Sequence, residues 1–131
     1  MPLYICGAPS DVLDDEQRQR IATAITRIHC EVTGAPATFA HVVFDESKND
    51  YSVFGTIRAG RTEETKAELK REMARAVAET VGVGVDAVTV LTVDVPASWV
   101  MEGGALLPEP GAEDEWLAAH ATPSDGSVRG R

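Results

Sequence analysis

The chain reads as an α+β fold built from tandem β-α-β repeats, with a four-stranded mixed sheet and two helices on one face. Three observations predict this. A short apolar run, an amphipathic stretch stopped by glycine and a β-rich run follow one another twice in the same order. A crossover between strands of one sheet is right-handed, which makes the pairing within each half parallel. The period is too long and the copies too few for a solenoid, so both halves share one sheet.

Leu3 to Gly7 follows Pro2 directly and ends at Gly7-Ala8-Pro9, the punctuation of a strand entering a turn. Asp14 with Gln17 is a capping box, and Ile21, Ile25, Ile28 and Val32 recur at helical steps until Gly34 stops the run. Phe39 to Glu46 returns to β-rich composition, with Phe39, His41 and Val43 on one side and Ala40, Val42 and Phe44 on the other. After a polar turn at Ser47 to Asp50, Tyr51 to Ile57 supplies a third strand that leads into Arg58-Ala59-Gly60-Arg61. Thr62 caps a second helix with Glu63 and Glu64 in its first turn, Leu69, Met73, Ala76, Val77 and Thr80 facing inward, and Gly82 as the stop. Val88 to Val93 is the fourth strand, ending at Asp94-Val95-Pro96. A single domain is expected over 1–117, with halves at 2–46 and 51–94 and an irregular segment at 96–117. Residues 118–131 are polar, small and Gly-rich, and are expected to form a flexible tail.

With 131 residues, 44% of them hydrophobic, the chain can build one real core and has no room for a second full domain. Twelve Lys and Arg against 21 Asp and Glu leave a net charge of −9, which repels phosphate backbones and anionic headgroups. No nucleic-acid or membrane partner is therefore expected. The start lacks a basic n-region and a long apolar h-region, and no run reaches membrane-spanning length, so a soluble, cytoplasmic protein is expected. Cys6 and Cys30 lack C-x-x-C spacing and read as packed, reduced thiols. Helices on one face leave the other face of the sheet bare, and Trp99, Leu106, Leu107 and Trp116 also need a surface, which points to a partner subunit.

Pro2 is the most informative residue for chemistry. Initiator methionine is usually removed before a small residue, and this would leave a secondary amine at the start of a strand as an acid or base close to neutral pH. Arg58 and Arg61 flank Ala59-Gly60 just before a helix start, where guanidinium forks and free amides suit a carboxylate or phosphate; the bland alternative is a pair of solvated turn residues. His29, one residue past Ile28, reads by itself as a half-buried packing residue, and His41 and His120 share no metal-ligand spacing with it. No metal site is expected. Glu102, ahead of Gly103-Gly104, reads by itself as solvated.

Taken together, Pro2, His29, Ile57-Arg58-Ala59-Gly60-Arg61-Thr62 and the run Met101-Glu102-Gly103-Gly104-Ala105-Leu106-Leu107-Pro108-Glu109-Pro110-Gly111 resemble the tautomerase superfamily. Within it the similarity is to the cis-3-chloroacrylic acid dehalogenase group, and it extends from residue 2 to about Trp116. The resemblance implies a tautomerase/MIF-like fold, a homotrimer, and no metal or organic cofactor. It implies that Pro2 is the key catalytic group, that Arg58 and Arg61 hold a substrate carboxylate, that His29 assists binding and that Glu102 activates water. The family's active-site tyrosine on the last strand falls at Leu91, and the tyrosine that usually follows the glutamate is Gly103.

The expected function is thus a cofactor-independent tautomerase of small enol or keto carboxylates, with Pro2 as base. Two other readings stand beside it. One is a hydratase or dehalogenase of 3-substituted acrylates, in which protonated Pro2 is the acid and Glu102 with His29 delivers water. The other is a non-catalytic trimeric binding protein that keeps the anion pocket.

Overall fold

Helix signals and apolar runs in the sequence appear as helix ends and strands close to the expected positions. The computed structural model describes residues 2–37 and 40–120. Its elements are β1 (Leu3–Gly7), α1 (Asp15–Thr33), β2 (His41–Asp45), β3 (Tyr51–Arg58), α2 (Glu63–Val81), β4 (Val88–Val95), β5 (Met101–Glu102), β6 (Ala105–Leu106) and α3 (Glu113–Ala119). Asp14 and Gln17 form the capping box of α1, with Asp14 Oδ1 accepting from the Gln17 amide at 2.8 Å and Gln17 Oε1 accepting from the Asp14 amide at 3.0 Å. Thr62 caps α2 through a 3.1 Å bond from the Thr65 amide. Both helices end on glycines at φ 79°, Gly34 and Gly82, a conformation that costs a residue with a Cβ.

The main sheet has the order β2-β1-β3-β4. β1 pairs with β2 and β3 with β4 in parallel, as the crossover rule requires, and the two halves join through the antiparallel β1–β3 pair. This joint positions everything that follows. Leu3 lies opposite Thr56 on β3 and beside His41 on β2, so the Pro2 end of β1 meets the Arg58 end of β3 and the start of β2. Tyr4, Cys6, Val53 and Ile57 pack with Ile21, Ile25 and Ile28 of α1 and Leu69, Met73 and Val77 of α2 into one core. Val43, Phe54, Leu91 and Val93 remain exposed, leaving the other face of the sheet bare.

Several expectations are corrected. β2 begins at His41 and ends at Asp45, while Phe39, expected to open it, lies outside the described residues. Ala78 is buried on α2, whereas the Thr80 hydroxyl satisfies itself by donating to the Ala76 carbonyl at 2.9 Å. The segment expected to be irregular carries a small hairpin, β5–β6, turning on Gly103 and Gly104 at φ 60° and 84°. It is followed by α3, whose last residues, Ala118 and Ala119, fall within the expected tail. Residues 121–131 of that expected tail lie outside the described residues. α3 escaped the sequence reading because Ala112 stands at its N-cap with no capping side chain. The Trp116 indole fastens it by donating to the Leu106 carbonyl at 2.6 Å. Trp99 finds no cover among the described residues and is 76% exposed.

Tyr4 approaches β3 closely at Gly55, where an added Cβ would collide with the Tyr4 ring. Gly55→Ala is therefore expected to destabilise the fold by ~1–3 kcal/mol through overpacking. A urea midpoint equal to that of the wild type would refute this close approach.

Candidate active site

Alternation along β1 turns Tyr4 toward the helices, and the ring is fully buried. Its hydroxyl lies 2.7 Å from Nδ1 of His29 in the last turns of α1. Burial pushes the Tyr4 hydroxyl well above the usual phenol range, so it keeps its proton. Sequence reasoning expected a half-buried histidine, but His29 is 1% exposed. Burial, followed by the charges of Arg61 and Arg58 and of the chain terminus, lowers its pKa to about 3, so the imidazole is neutral. In the tautomer whose Nδ1 accepts from the Tyr4 hydroxyl, the ring proton sits on Nε2. That nitrogen is buried and has no hydrogen-bond partner among the described residues.

Arg61 precedes α2 and reaches back to donate from Nη1 to the Arg58 carbonyl at 3.2 Å. Its Nε is likewise buried and without a partner among the described residues. Burial, then the neighbouring Arg58 charge, lowers the Arg61 pKa from its ordinary value. A guanidinium still remains charged throughout the physiological range.

Arg58 stands at the end of β3, and its side chain is 1% exposed. Its Nη1 donates to the Pro108 carbonyl and its Nη2 to Oε2 of Glu113, each at 2.6 Å. The other Glu113 oxygen accepts from the Gly111 amide at 2.9 Å. Burial alone would raise the Glu113 carboxyl, but the bonds from Arg58 and Gly111 outweigh it and hold the group below the usual range. Arg58 is therefore a paired cation rather than a solvated turn residue.

Pro2 is fully buried at the start of β1, and its carbonyl accepts from the His41 amide at 2.9 Å. Nε2 of His41 in turn lies 3.6 Å from Oε2 of Glu102 on β5, so Glu102 is placed rather than freely solvated. Leu3, His41, Val100, Met101, Glu102 and Gly103 line a cavity of about 470 Å³ at this end of the sheet. Leu91 is exposed on the bare face, beside Phe54 in register. A larger cavity of about 590 Å³ on α1, lined by residues including Gln19, Thr23, Arg27 and Cys30, contains none of the expected site residues. Both cysteines are free, and burial pushes the Cys6 thiol up to about 12.

The fold thus gathers His29, Arg58 and Arg61 within electrostatic reach, buries Pro2 at the same sheet end and joins Glu102 to it through His41. Sequence reasoning missed Tyr4, His41 and Glu113. Tyr4 could have been found from alternation, two residues after Pro2, whereas nothing local marks Glu113 as the partner of a residue 55 positions earlier. Among the described residues, no group of three or more His, Cys, Asp or Glu is arranged to hold a metal ion, and no helix is long and apolar enough to cross a membrane.

Comparison with known proteins places the chain in a family. Residues 1–80 match the family model described as "Putative oxalocrotonate tautomerase enzyme", and the chain belongs to that family within the tautomerase superfamily. Among solved structures, N1, a member of the cis-3-chloroacrylic acid dehalogenase (cis-CaaD) family, is 28% identical, with 88% of this chain and 90% of that one covered at a TM-score of 0.82. Native Ps01740 is 37% identical over 76% of this chain and 99% of its own, at a TM-score of 0.71. A fused 4-OT wild-type asymmetric trimer is 17% identical over 79% and 94%, and its TM-score of 0.72 shows the shared fold alone. No curated protein matches the chain.

The buried histidine makes stability depend on pH. Its folded pKa is depressed from 6.5 to about 3, so between these values the unfolded chain binds a proton that the folded chain does not. Stability is then complete above the unfolded value and lost as pH falls toward the folded one, by up to ~1.4 kcal/mol per pH unit. Urea titrations from pH 7 to 4 are expected to show a shallower acid limb for His29→Gln than for the wild type. Parallel limbs would place the acid sensitivity elsewhere.

Proposed function

We propose that the protein is a cofactor-independent tautomerase of small enol or keto carboxylates, working as a homotrimer with Pro2 as its amino-terminal base once Met1 is removed. The observation that carries this reading is the pair of buried nitrogens without a partner among the described residues, His29 Nε2 and Arg61 Nε, at the sheet end where Pro2 is buried. A neutral N–H donor and a guanidinium N–H call for one acceptor with negative charge, which a carboxylate supplies. Arg58 stands behind them as a second cation, tempered by Glu113. With the carboxylate held there, the Pro2 amine takes the proton from the enol hydroxyl and returns it to carbon. A free amine at Pro2 would stand at the sheet end that already carries the Arg61 charge, which disfavours a further cation there. The bare apolar face with Val43, Phe54, Leu91 and Val93 supports assembly, and the fused 4-OT relative is a trimer.

A second reading draws on Glu102. Its placement beside His41 and the likeness to a cis-CaaD family member support a hydratase or dehalogenase of 3-substituted acrylates, with protonated Pro2 as acid and Glu102 activating water. Leu91 offers no hydroxyl for that water, and ketonisation does not need one.

Arg61→Ala is expected to lower kcat/KM for ketonisation of phenylenolpyruvate by about 10- to 100-fold, the loss of one charge-assisted hydrogen bond. Lysine should rescue only partly, because a point charge lacks the planar fork. Wild-type kinetics in Arg61→Ala would put the carboxylate elsewhere. Glu102→Gln is expected to leave this ketonisation largely intact while abolishing any activity on cis-3-chloroacrylate. Loss of both in Glu102→Gln, with chloroacrylate the faster substrate of the wild type, would favour the second reading. An intact mass that includes Met1 would remove the secondary amine and favour a non-catalytic binding protein.

A further inference from the structure

Resting on the placement of a substrate carboxylate at Arg61 in the reading above, we propose that Lys66 is a positioning residue for that site: by holding Asp94, it keeps a carboxylate of the chain itself from occupying the Arg61 guanidinium. Among the described residues, two carboxylates lie within electrostatic reach of Arg61, those of Glu113 and Asp94. Each is held by a different cation. Glu113 accepts from Arg58 at 2.6 Å, and Asp94 accepts from Nζ of Lys66, which reaches it from the first turn of α2, at 3.0 Å. The strand end that carries Asp94 is also tied to the loop that carries Arg61. Asp94 stands beside Ile57 and Val95 beside Arg58 in the parallel β3–β4 pair, and the Ala59 amide donates to the Val95 carbonyl at 2.8 Å. Arg61 is half-buried, so its charge is not sealed in the core.

Lys66 is well covered for a lysine. Its side chain is 15% exposed, and its ammonium lies between the carboxylates of Glu63 at 2.9 Å and Asp94 at 3.0 Å. Glu63 is 92% exposed and can turn to solvent, whereas Asp94, at 40%, is fixed on a strand beside the arginine loop. A pair of this kind contributes little to stability. Its effect on the neighbouring guanidinium is larger, because a tethered carboxylate competes with a free one at an effective concentration on the order of millimolar. Without Lys66, Asp94 would turn to Arg61, whose planar fork takes a carboxylate in two parallel bonds. Lys70, which lines the same cavity of about 420 Å³ as Lys66 and Asp94, is the competing destination.

The test is a double-mutant cycle read in KM for phenylenolpyruvate and, without turnover, in calorimetric titration with propionate. Lys66→Met is expected to raise KM and weaken propionate by about tenfold, the lower end of one charge-assisted hydrogen bond, with kcat changed less. Asp94→Asn, in which Lys66 keeps Glu63, is expected to stay near the wild type, as is Lys66→Arg. Adding Asp94→Asn to Lys66→Met is expected to restore binding, because the competing carboxylate is gone. A merely structural role for Lys66 would leave the double variant as weak as Lys66→Met, which overturns the proposal. Additive effects, with Asp94→Asn tightening binding as much as Lys66→Met weakens it, would mark a through-space field alone and overturn it too. So would wild-type binding in Lys66→Met, the result that capture of Asp94 by Lys70 would give. Arg61→Ala at wild-type affinity would remove the carboxylate placement and this proposal together, whereas weak binding in Arg61→Ala with wild-type binding in Lys66→Met would remove this proposal alone.

Discussion

A guanidinium cannot leave water alone, and Arg58 has left it almost completely. Its position at the end of β3 forces the rest of the chain to bring partners, and the chain does so from 50 and 55 residues away, through Pro108 and Glu113. This explains why the segment after β4 folds back instead of trailing into solvent. The hairpin at Gly103-Gly104 reverses it, Leu107 is buried, and α3 forms without a capping side chain because its first residue is tied to Arg58. Breaking either partner would leave an uncompensated buried charge, which is why such pairs are costly to disrupt even where their net contribution is small.

The same end of the sheet shows how a site can be dry and still polar. Tyr4 satisfies one nitrogen of His29, and burial together with two nearby cations keeps the ring neutral, so His29 can donate from Nε2 without carrying charge. Arg61 supplies the charge, Arg58 with Glu113 holds the loop that presents it, and Pro2 lies where the antiparallel β1–β3 joint brings the chain's start against that loop. Each group is set by a different element, and the register of one strand pair brings them together. A shift of one residue in that register would turn Tyr4 away from α1 and open the histidine to water.

Much of this was legible in the chain. Asp14 with Gln17, Thr62, Gly34 and Gly82 mark the helix ends by local chemistry, and the spacing of Ile21, Ile25 and Ile28 marks a buried face, so both long helices could be read directly. Four strands and their parallel pairing followed from order and handedness. Pro2, Arg58, Arg61, His29 and Glu102 could be singled out by type, position and resemblance. α3 could not, since Ala112 gives no start signal and its anchors are distant in sequence.

What the sequence by itself determined is therefore what depends on near neighbours: helix boundaries, apolar stripes, the repeat, and the net acidity that disfavours polyanionic partners. Only the tertiary structure decided the state of the charged groups. Whether His29 is neutral, whether Arg58 is open to a ligand or already paired, and whether Glu102 stands in water or beside His41 all depend on contacts across 25 to 61 residues. The physical reason is that a helix cap is a hydrogen bond within one turn of chain, whereas the charge state of a buried group depends on its solvation and on every neighbour the fold places around it.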